Sequence, residues 1–400
     1  MKHRIRFDLN EVAGSLGDLA TFLPLAIGLI TINGVNATSL FLAAGLLYIG
    51  AGLYYGLPIP VQPLKATSAI AIALAVPAAA ISAAAFWAGV LFLFISLFRL
   101  DVWLGKVFTR PVVRGIQLGL AVLLVQGGLK GVFGPLDTSL HLSGVPPWAP
   151  GLFIGTAVVT IVALSRGSRR YPATLVVIPF GMLAGGFLTS TWFPGSVATG
   201  WIRPGMGLPL GADPYTVLIV LLLPQVPLTL ANSIAATSDA AGNYYGDRAG
   251  RVTHRGLAAT LGIGNLLAGL LGGMPLCHGS GGVTAHYRFG ARTGGANLFI
   301  GTLFVLVALF FGRSVADMSR LLPSSVLGAL LVYVGIQHAR LVRDIIGSPR
   351  EIAVALSIGL VTLATGNLAV SFAAGIVLER AIGRFFPESM VRGEAQARLL

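Results

Sequence analysis

The chain has 400 residues, 55% of them hydrophobic and only 10% charged, with a formal net charge of +13 and a mean hydropathy of +0.84. A soluble domain carries about a quarter charged residues, so a soluble enzyme or binding module is excluded, and apolar runs along the whole length describe a polytopic membrane protein. The basic residues cluster in short loops, which reads as membrane topology and anionic lipid headgroups, with no nucleic-acid partner.

The apolar runs predict fourteen helical segments. The first covers 12–32 and contains Gly17-Asp18 and Thr21. No small-residue cleavage site follows it, so it reads as a mature span and not a signal peptide. An acid inside a span marks a functional site by default. Asp18 suits a proton or sodium carrier, a partner for a lysine, or a hydrogen bond to backbone. The second segment, 39–56, runs into "GLPIPVQPLK" at 56–65. Its prolines remove N–H groups and disfavour helix in the residues before them. An extended stretch would climb to about the middle of the bilayer. A short third segment over 64–76 would start there, with its free N–H groups and Lys65 directed into the protein. Gln62 adds a donor beside it. Lys65 reads as facing an anion, as snorkelling to an interface, or as a neutral couple with Asp18 or Glu11.

Segments over 79–98, 112–130, 151–165 and 173–190 complete the first half. The eighth, 214–237, contains "PQVPLTLANS", which puts Gln225, Thr229 and Asn232 at i, i+4 and i+7 on one helical face. That face is turned to a cavity or glues helices together. The ninth, 256–273, leads into a second break, "GMPLCHGSGG". A short tenth segment over 281–290 would start there and run the opposite way. Ser280 reads as its cap, and Gly281 and Gly282 let backbone approach a ligand closely. Segments over 295–312, 322–338, 351–365 and 367–385 finish the chain. Asp18, Glu11, His278 and Asp239 are candidates for ion coupling. Cys277 is the single cysteine; with His278 it lacks the further ligands of a metal site, so neither metal nor cofactor is expected.

Loop charges orient the segments. With "MKHRIR" inside, "RLDVWLGKVFTR", "RGSRRYP", "GDRAGRVTHR", "YRFGAR", "HARLVRD" and the tail from Glu379 all fall inside. Both termini are then cytoplasmic, in what reads as a prokaryotic plasma membrane. The misfit is "GRSVADMSR" at 312–320, which carries two arginines on the predicted outside. Fourteen segments divide into seven and seven, over 1–200 and 201–400, and an odd number per half inverts the second half. The two breaks then fall third in each half. Paired discontinuous helices in inverted repeats are the layout of a secondary transporter with a midplane site. Two helix N-termini facing one point make an anion site, with Gln62, Lys65, Gln225, Thr229, Asn232 and Ser280 as donors. A channel shares broken helices, and a nucleobase permease shares the layout but would want an acid in the eighth segment. No nucleophile–base–orienter set is evident, so an enzyme is not expected.

Four stretches carry a resemblance: "GSLGDLATFLPLAIGL", "LPIPVQPLKA", "PQVPLTLANSI" and "GGMPLCHGSGGVTAHYRFGARTGG". In that order they closely resemble the motifs of the molybdate transporter family, a relative of the SulP sulfate permeases. The resemblance implies an all-α, uracil-permease-like fold of seven plus seven inverted segments. In it a core domain (segments 1–4 and 8–11) carries substrate past a gate domain (5–7 and 12–14). It implies a site for molybdate, shared with sulfate or tungstate, and a coupling proton or sodium. It marks Asp18, Thr21, Gln62, Lys65, Gln225, Asn232 and the stretch His278 to Gly282. SulP permeases usually end in a cytoplasmic STAS domain; the sequence leads one to expect none here, and leaves a homodimer open.

Overall fold

The computed structural model describes residues 5–100, 108–134, 146–165, 173–189, 199–319 and 321–385. All fourteen predicted segments are helical. Segment 1 is Leu9–Ser15, a 3-10 turn Leu16–Asp18, and Leu19–Thr31. Segments 2 to 4 are Ala37–Tyr55, Lys65–Ala73 and Ala78–Phe98. Segments 5 to 7 are Arg110–Phe133, Ala149–Leu164 and Ala173–Thr189. Segment 8 is a chain of short helices, Tyr215–Leu222, Gln225–Leu228, Thr229–Ala235 and Ala236–Tyr245. Segments 9 to 11 are His254–Leu270, Ser280–Arg288 and Gly295–Ser319. Segments 12 to 14 are Ser324–Ala339, Pro349–Thr365 and Leu368–Phe385.

Three expectations change. Segment 1 is not one continuous helix: it tightens into the 3-10 turn at Leu16–Asp18, and this places Asp18 at a break. The predicted outer loop 312–320 is largely helix, because segment 11 runs on to Ser319; Arg313 extends from its exposed face. The two extended stretches do not stand alone. Gln62–Pro63 (β1) and Leu276–Cys277 (β2) pair antiparallel, with Gln62 opposite Cys277 and Pro63 opposite Leu276. Backbone that cannot be helical at membrane depth must find partners within the protein. Asn265 of segment 9 supplies more of them, donating to Leu276 O at 2.7 Å and accepting from Leu276 N at 2.8 Å. Asn297 of segment 11 donates to Ile59 O at 2.6 Å. The basic stretches 101–107 and 166–172 and the tail after 385 lie outside the described residues.

The packing repeats under exchange of segment n with n+7. Segment 4 lies along segment 9, and segment 2 along segment 11. Segment 5 lies along segment 12, and β1 pairs with β2, each pair exchanging into itself. Segment 5 meets segment 13 as segment 12 meets segment 6. Glycines make the closest crossings: a Cβ on Gly45 would meet Gly301 O, and one on Gly89 would meet Gly262 O. Segments 5 and 12 cross at Gly128 and Gly328, where each Cβ position is filled by the other's carbonyl. Close backbone approach through small residues is the usual way apolar helices associate in lipid. Around them Phe22, Phe41, Tyr48 and Phe304 interlock, with Phe41 and Phe304 edge to face at 5.2 Å. The result is a core bundle of segments 1–4 and 8–11 beside a gate bundle of 5–7 and 12–14.

Candidate functional site

Segments 3 and 10 start on either side of the β1–β2 pair. Segment 3 has no side-chain cap of its own; its cap residue is Leu64. Gln225 fills that role from segment 8. Its Oε1 accepts from Ala66 N at 2.8 Å and Thr67 N at 3.2 Å, and its Nε2 donates to Thr229 Oγ1 at 3.1 Å. Thr67 Oγ1 donates to Leu221 O at 2.9 Å. Segment 8 reaches these groups because it is bent by 41° at Leu223-Pro224. Two N–H groups expected to face a guest are therefore occupied, and the first-turn N–H of Lys65 is left.

Lys65 faces a pocket of about 40 Å³ at the seam between core and gate, room for roughly three waters. Gln225, Asn232, Ser233 and Cys277 line its core side, with Leu228 beneath them. The gate contributes Gln117 of segment 5, His338 of segment 12 and Leu341. Among the described residues no carboxylate lines the pocket or forms an ion pair with Lys65. Of the predicted donors, the structure thus brings together Lys65, Gln225 and Asn232.

The other predicted residues are engaged elsewhere. Gln62 is buried at 1% exposure, and its Nε2 lies 2.6 and 2.7 Å from the two carboxylate oxygens of Asp18. Thr21 also lies beside that carboxylate. Gly279 and Gly282 make room for this pair, since a Cβ at either would meet the Gln62 amide. Thr229 is buried as the acceptor for Gln225. The helix after it is of π type; its wider turn brings Ser233, and not Thr229, to the pocket beside Asn232. Ser280 is the first residue of segment 10 and not its cap, which is Gly279; its hydroxyl donates to Asn232 Oδ1 at 2.8 Å. That bond leaves the Asn232 amide nitrogen for the pocket. Gly281 is exposed, with open space where a Cβ would stand.

The remaining ion-coupling candidates are distant in role. Glu11 ties segment 1 to the turn before segment 11, with Oε1 accepting from Arg292 N at 3.1 Å and Thr293 Oγ1 at 2.9 Å. His278 is fully buried behind the site. Its Nδ1 lies 2.7 Å from Pro60 O and its Nε2 2.9 Å from Thr260 Oγ1. Asp239 is exposed at the far end of segment 8. No group of three or more potential metal-ligating residues occurs among the described residues.

Gln117, Ser233 and His338 are the polar pocket residues that sequence reasoning missed. Gln117 and His338 each stand in a mostly apolar gate helix that carries other polar residues, Gln126 in segment 5 and Gln337 in segment 12 among them. The one available signal was that a neutral amide and an imidazole are uncommon there. Arg114 Nη1 donates to Gln117 Oε1 at 2.9 Å, and Arg114 itself is held by Asp344, with Nε at 2.9 and 3.1 Å from the carboxylate oxygens. His338 Nδ1 lies 2.9 Å from Val334 O. Chemically the pocket sets one ammonium group among amides, an imidazole, a hydroxyl and a thiol, a donor set suited to an oxygen-rich anion.

Comparison with known proteins agrees with that chemistry. "Molybdate transporter 1" of Chlamydomonas reinhardtii is 30% identical over 94% of this chain and 92% of its own length. "Molybdate transporter 2" of Arabidopsis thaliana is 27% identical over 92% of this chain and 86% of its own. Among solved structures, the transmembrane domain of the cyanobacterial bicarbonate transporter BicA superposes with a TM-score of 0.63 at 18% identity, covering 94% of this chain and all of that domain. It shows the same fold, which differs from the six-plus-six layout of MFS carriers. The family model described as "Molybdate transporter of MFS superfamily" matches residues 10–124 and 218–337, which include every pocket residue but His338 and Leu341. The chain is a multi-pass membrane transporter and not an enzyme, and it belongs to the molybdate transporter family.

Proposed function

We propose that this protein is a secondary active transporter of molybdate, carried as a tetrahedral dianion by alternating access. The observation that carries the reading is Lys65. It stands at the N-terminus of a broken helix and faces a pocket between two bundles; no carboxylate lines that pocket, and Asp18, which interacts with Lys65 from segment 1, is held by Gln62. An ammonium group left unpaired at membrane depth calls for an anionic guest. The relatives named as molybdate transporters favour molybdate among oxyanions. The repeats comprise residues 1–200 and 201–400, and the core bundle moves Lys65 and the anion past the gate. The pocket lies toward the end of the gate where segment 5 begins and segment 12 finishes, close to Arg110, Arg114 and Asp344. Loop charge makes that end cytoplasmic, with both termini on the same side of a plasma membrane.

Titration of the purified protein with molybdate and with sulfate tests this. Saturable molybdate binding, tighter than sulfate binding, is expected. Sulfate presents the same charge and four oxygens, so tighter sulfate binding would make the protein a sulfate carrier, and no binding of either would reject the reading. In proteoliposomes, uptake that saturates and follows an imposed ion gradient separates a carrier from a channel.

A further inference from the structure

We propose that the oxyanion is held across the seam, with His338 Nε2 as a gate-side donor that takes up a proton when the dianion binds. This rests on the transporter reading above and adds the identity of the coupling group. Three observations lead to it.

The first is the tautomer. His338 is 8% exposed and lines the pocket, and its Nδ1 lies 2.9 Å from the carbonyl of Val334. A carbonyl only accepts, so Nδ1 carries the hydrogen. A neutral His338 then turns the lone pair of Nε2 to the pocket. An oxyanion also offers only lone pairs, so the two repel until Nε2 gains a proton and becomes a donor.

The second is charge. A dianion against the single ammonium of Lys65 leaves one negative charge uncompensated in a pocket whose other lining groups are neutral. The charges around His338 are Lys65 in the pocket, Asp18 behind it, and the arginines and Asp344 at the cytoplasmic rim. Segment 3 brings Lys65 and the β2 strand brings Cys277. Segment 5 brings Gln117 and, behind it, Arg114, which is paired with Asp344 of the turn after segment 12. That turn also carries Arg340 and Arg343. Segment 1, which packs on segment 12, brings Asp18, buried against Gln62 and within electrostatic reach of Lys65, ahead of an uncharged Leu19–Thr31; segment 6 has no ionisable residue in Ala149–Leu164. A proton on His338 brings dianion, lysine and histidine to zero net charge, the condition under which a buried cluster is least costly to move.

The third is geometry across the seam. Gln117 Oε1 is held by Arg114, which turns its Nε2 toward the pocket from the same side as His338. The core offers the Lys65 ammonium and the Asn232 amide. Donors from both bundles then converge on four anion oxygens, and the gate half of the site is left behind when the core moves.

The test is calorimetric titration of the full-length purified protein with sodium molybdate, in two buffers of different ionisation enthalpy and at several values between about pH 6 and 8. Molybdate stays a dianion across this range. The wild type should take up about one proton per anion above the histidine titration, and its affinity should weaken about tenfold per pH unit there. His338→Gln keeps an N–H donor without a titrating proton, so it should bind molybdate with no proton uptake and a flat pH profile. Wild-type binding without proton uptake would overturn the proposal, and so would a His338→Gln protein that takes up the same proton. The two-buffer result on the wild type decides even if the variant does not fold. A wild type that binds neither molybdate nor sulfate rejects the transporter reading, and this proposal with it.

Discussion

Gln62 and Asp18 form a closed pair: the amide nitrogen of one lies 2.6 and 2.7 Å from the two oxygens of the other, and both side chains are buried. The pair fastens β1 to the 3-10 turn of segment 1, which positions the start of segment 3. Gln62→Ala would leave the buried Asp18 carboxyl with Thr21 alone beside it, a loss of about 1.5–3 kcal/mol for a hydrogen bond to a charged group. A drop in thermal stability of that size is expected in detergent, measured without substrate. An unchanged melting temperature with weakened molybdate binding would instead mean that Gln62 reaches the anion.

Lys65 should show the opposite division. Its head group faces the pocket and bonds no carboxylate among the described residues. Lys65→Met keeps most of the stem while removing the charge. Molybdate affinity should fall by about tenfold to a hundredfold, the range for a charge-assisted contact. Stability without substrate should hold or rise, since an unpaired charge has been removed from a partly buried site. Equal affinity in the variant would remove Lys65 from the site.

The sequence made the segments legible because proline, glycine and apolar runs act locally. "GLPIPVQPLK" declares a break wherever it is placed, and Lys65 next to it declares a charge to be matched. The partners of polar side chains were not legible, because they are settled by which helices meet. Gln225 looked like an anion donor, yet the nearest acceptor-hungry groups were the N–H groups of Ala66 and Thr67. The face drawn through Gln225, Thr229 and Asn232 assumed an α pitch that the π-type stretch after Leu228 does not keep. His338 and Gln117 carry no local mark, because nothing within an apolar helix says which of its polar residues meets the core. The repeat did leave a trace in residues: Gly45 and Gly52 of segment 2 have the same spacing as Gly262 and Gly269 of segment 9, and all four make close crossings.

Gln225→Glu separates capping from anion binding. A carboxylate can accept from Ala66 N and Thr67 N as the amide does, and negative charge suits a helix N-terminus. The fold should persist at near wild-type stability. The added charge would sit on the pocket wall, where like charges cost several kcal/mol. Molybdate binding should then weaken by about a hundredfold or more. Gln225→Leu should behave differently, losing stability of about 1 kcal/mol with the cap. If Glu and Leu weaken binding equally, the residue acts by shape alone.

Gly301→Val tests the crossing of segments 2 and 11. A Cβ at Gly301 would meet Gly45 O, and the side chain of Ile49 lies beside it. The helices must separate to admit the branch, which costs about 1–3 kcal/mol in a packed interior. The symmetry-related change, Gly89→Val, meets Leu266 and Gly262 O of segment 9 and should cost a similar amount. Thermal melts of both variants check this. A Gly301→Val protein as stable as wild type would show that the crossing tolerates wider spacing.

Arg114 links the pocket to the surface and should act through Gln117. It donates to Gln117 Oε1 while held by Asp344, and Arg110 keeps Asp344 partnered at 3.2 Å if Arg114 is removed. Because these charges are partly exposed, Arg114→Leu should change stability by no more than about 1 kcal/mol. Freed from Arg114, the Gln117 amide can rotate and present either end to the pocket. Molybdate affinity should fall by about two- to tenfold, as for loss of one neutral hydrogen bond. Gln117→Leu should cost the same. Since both changes remove one interaction, the double variant should be no weaker than either single one. Full additivity in that cycle would mean that Arg114 acts on the anion by its own charge and not through the amide it holds.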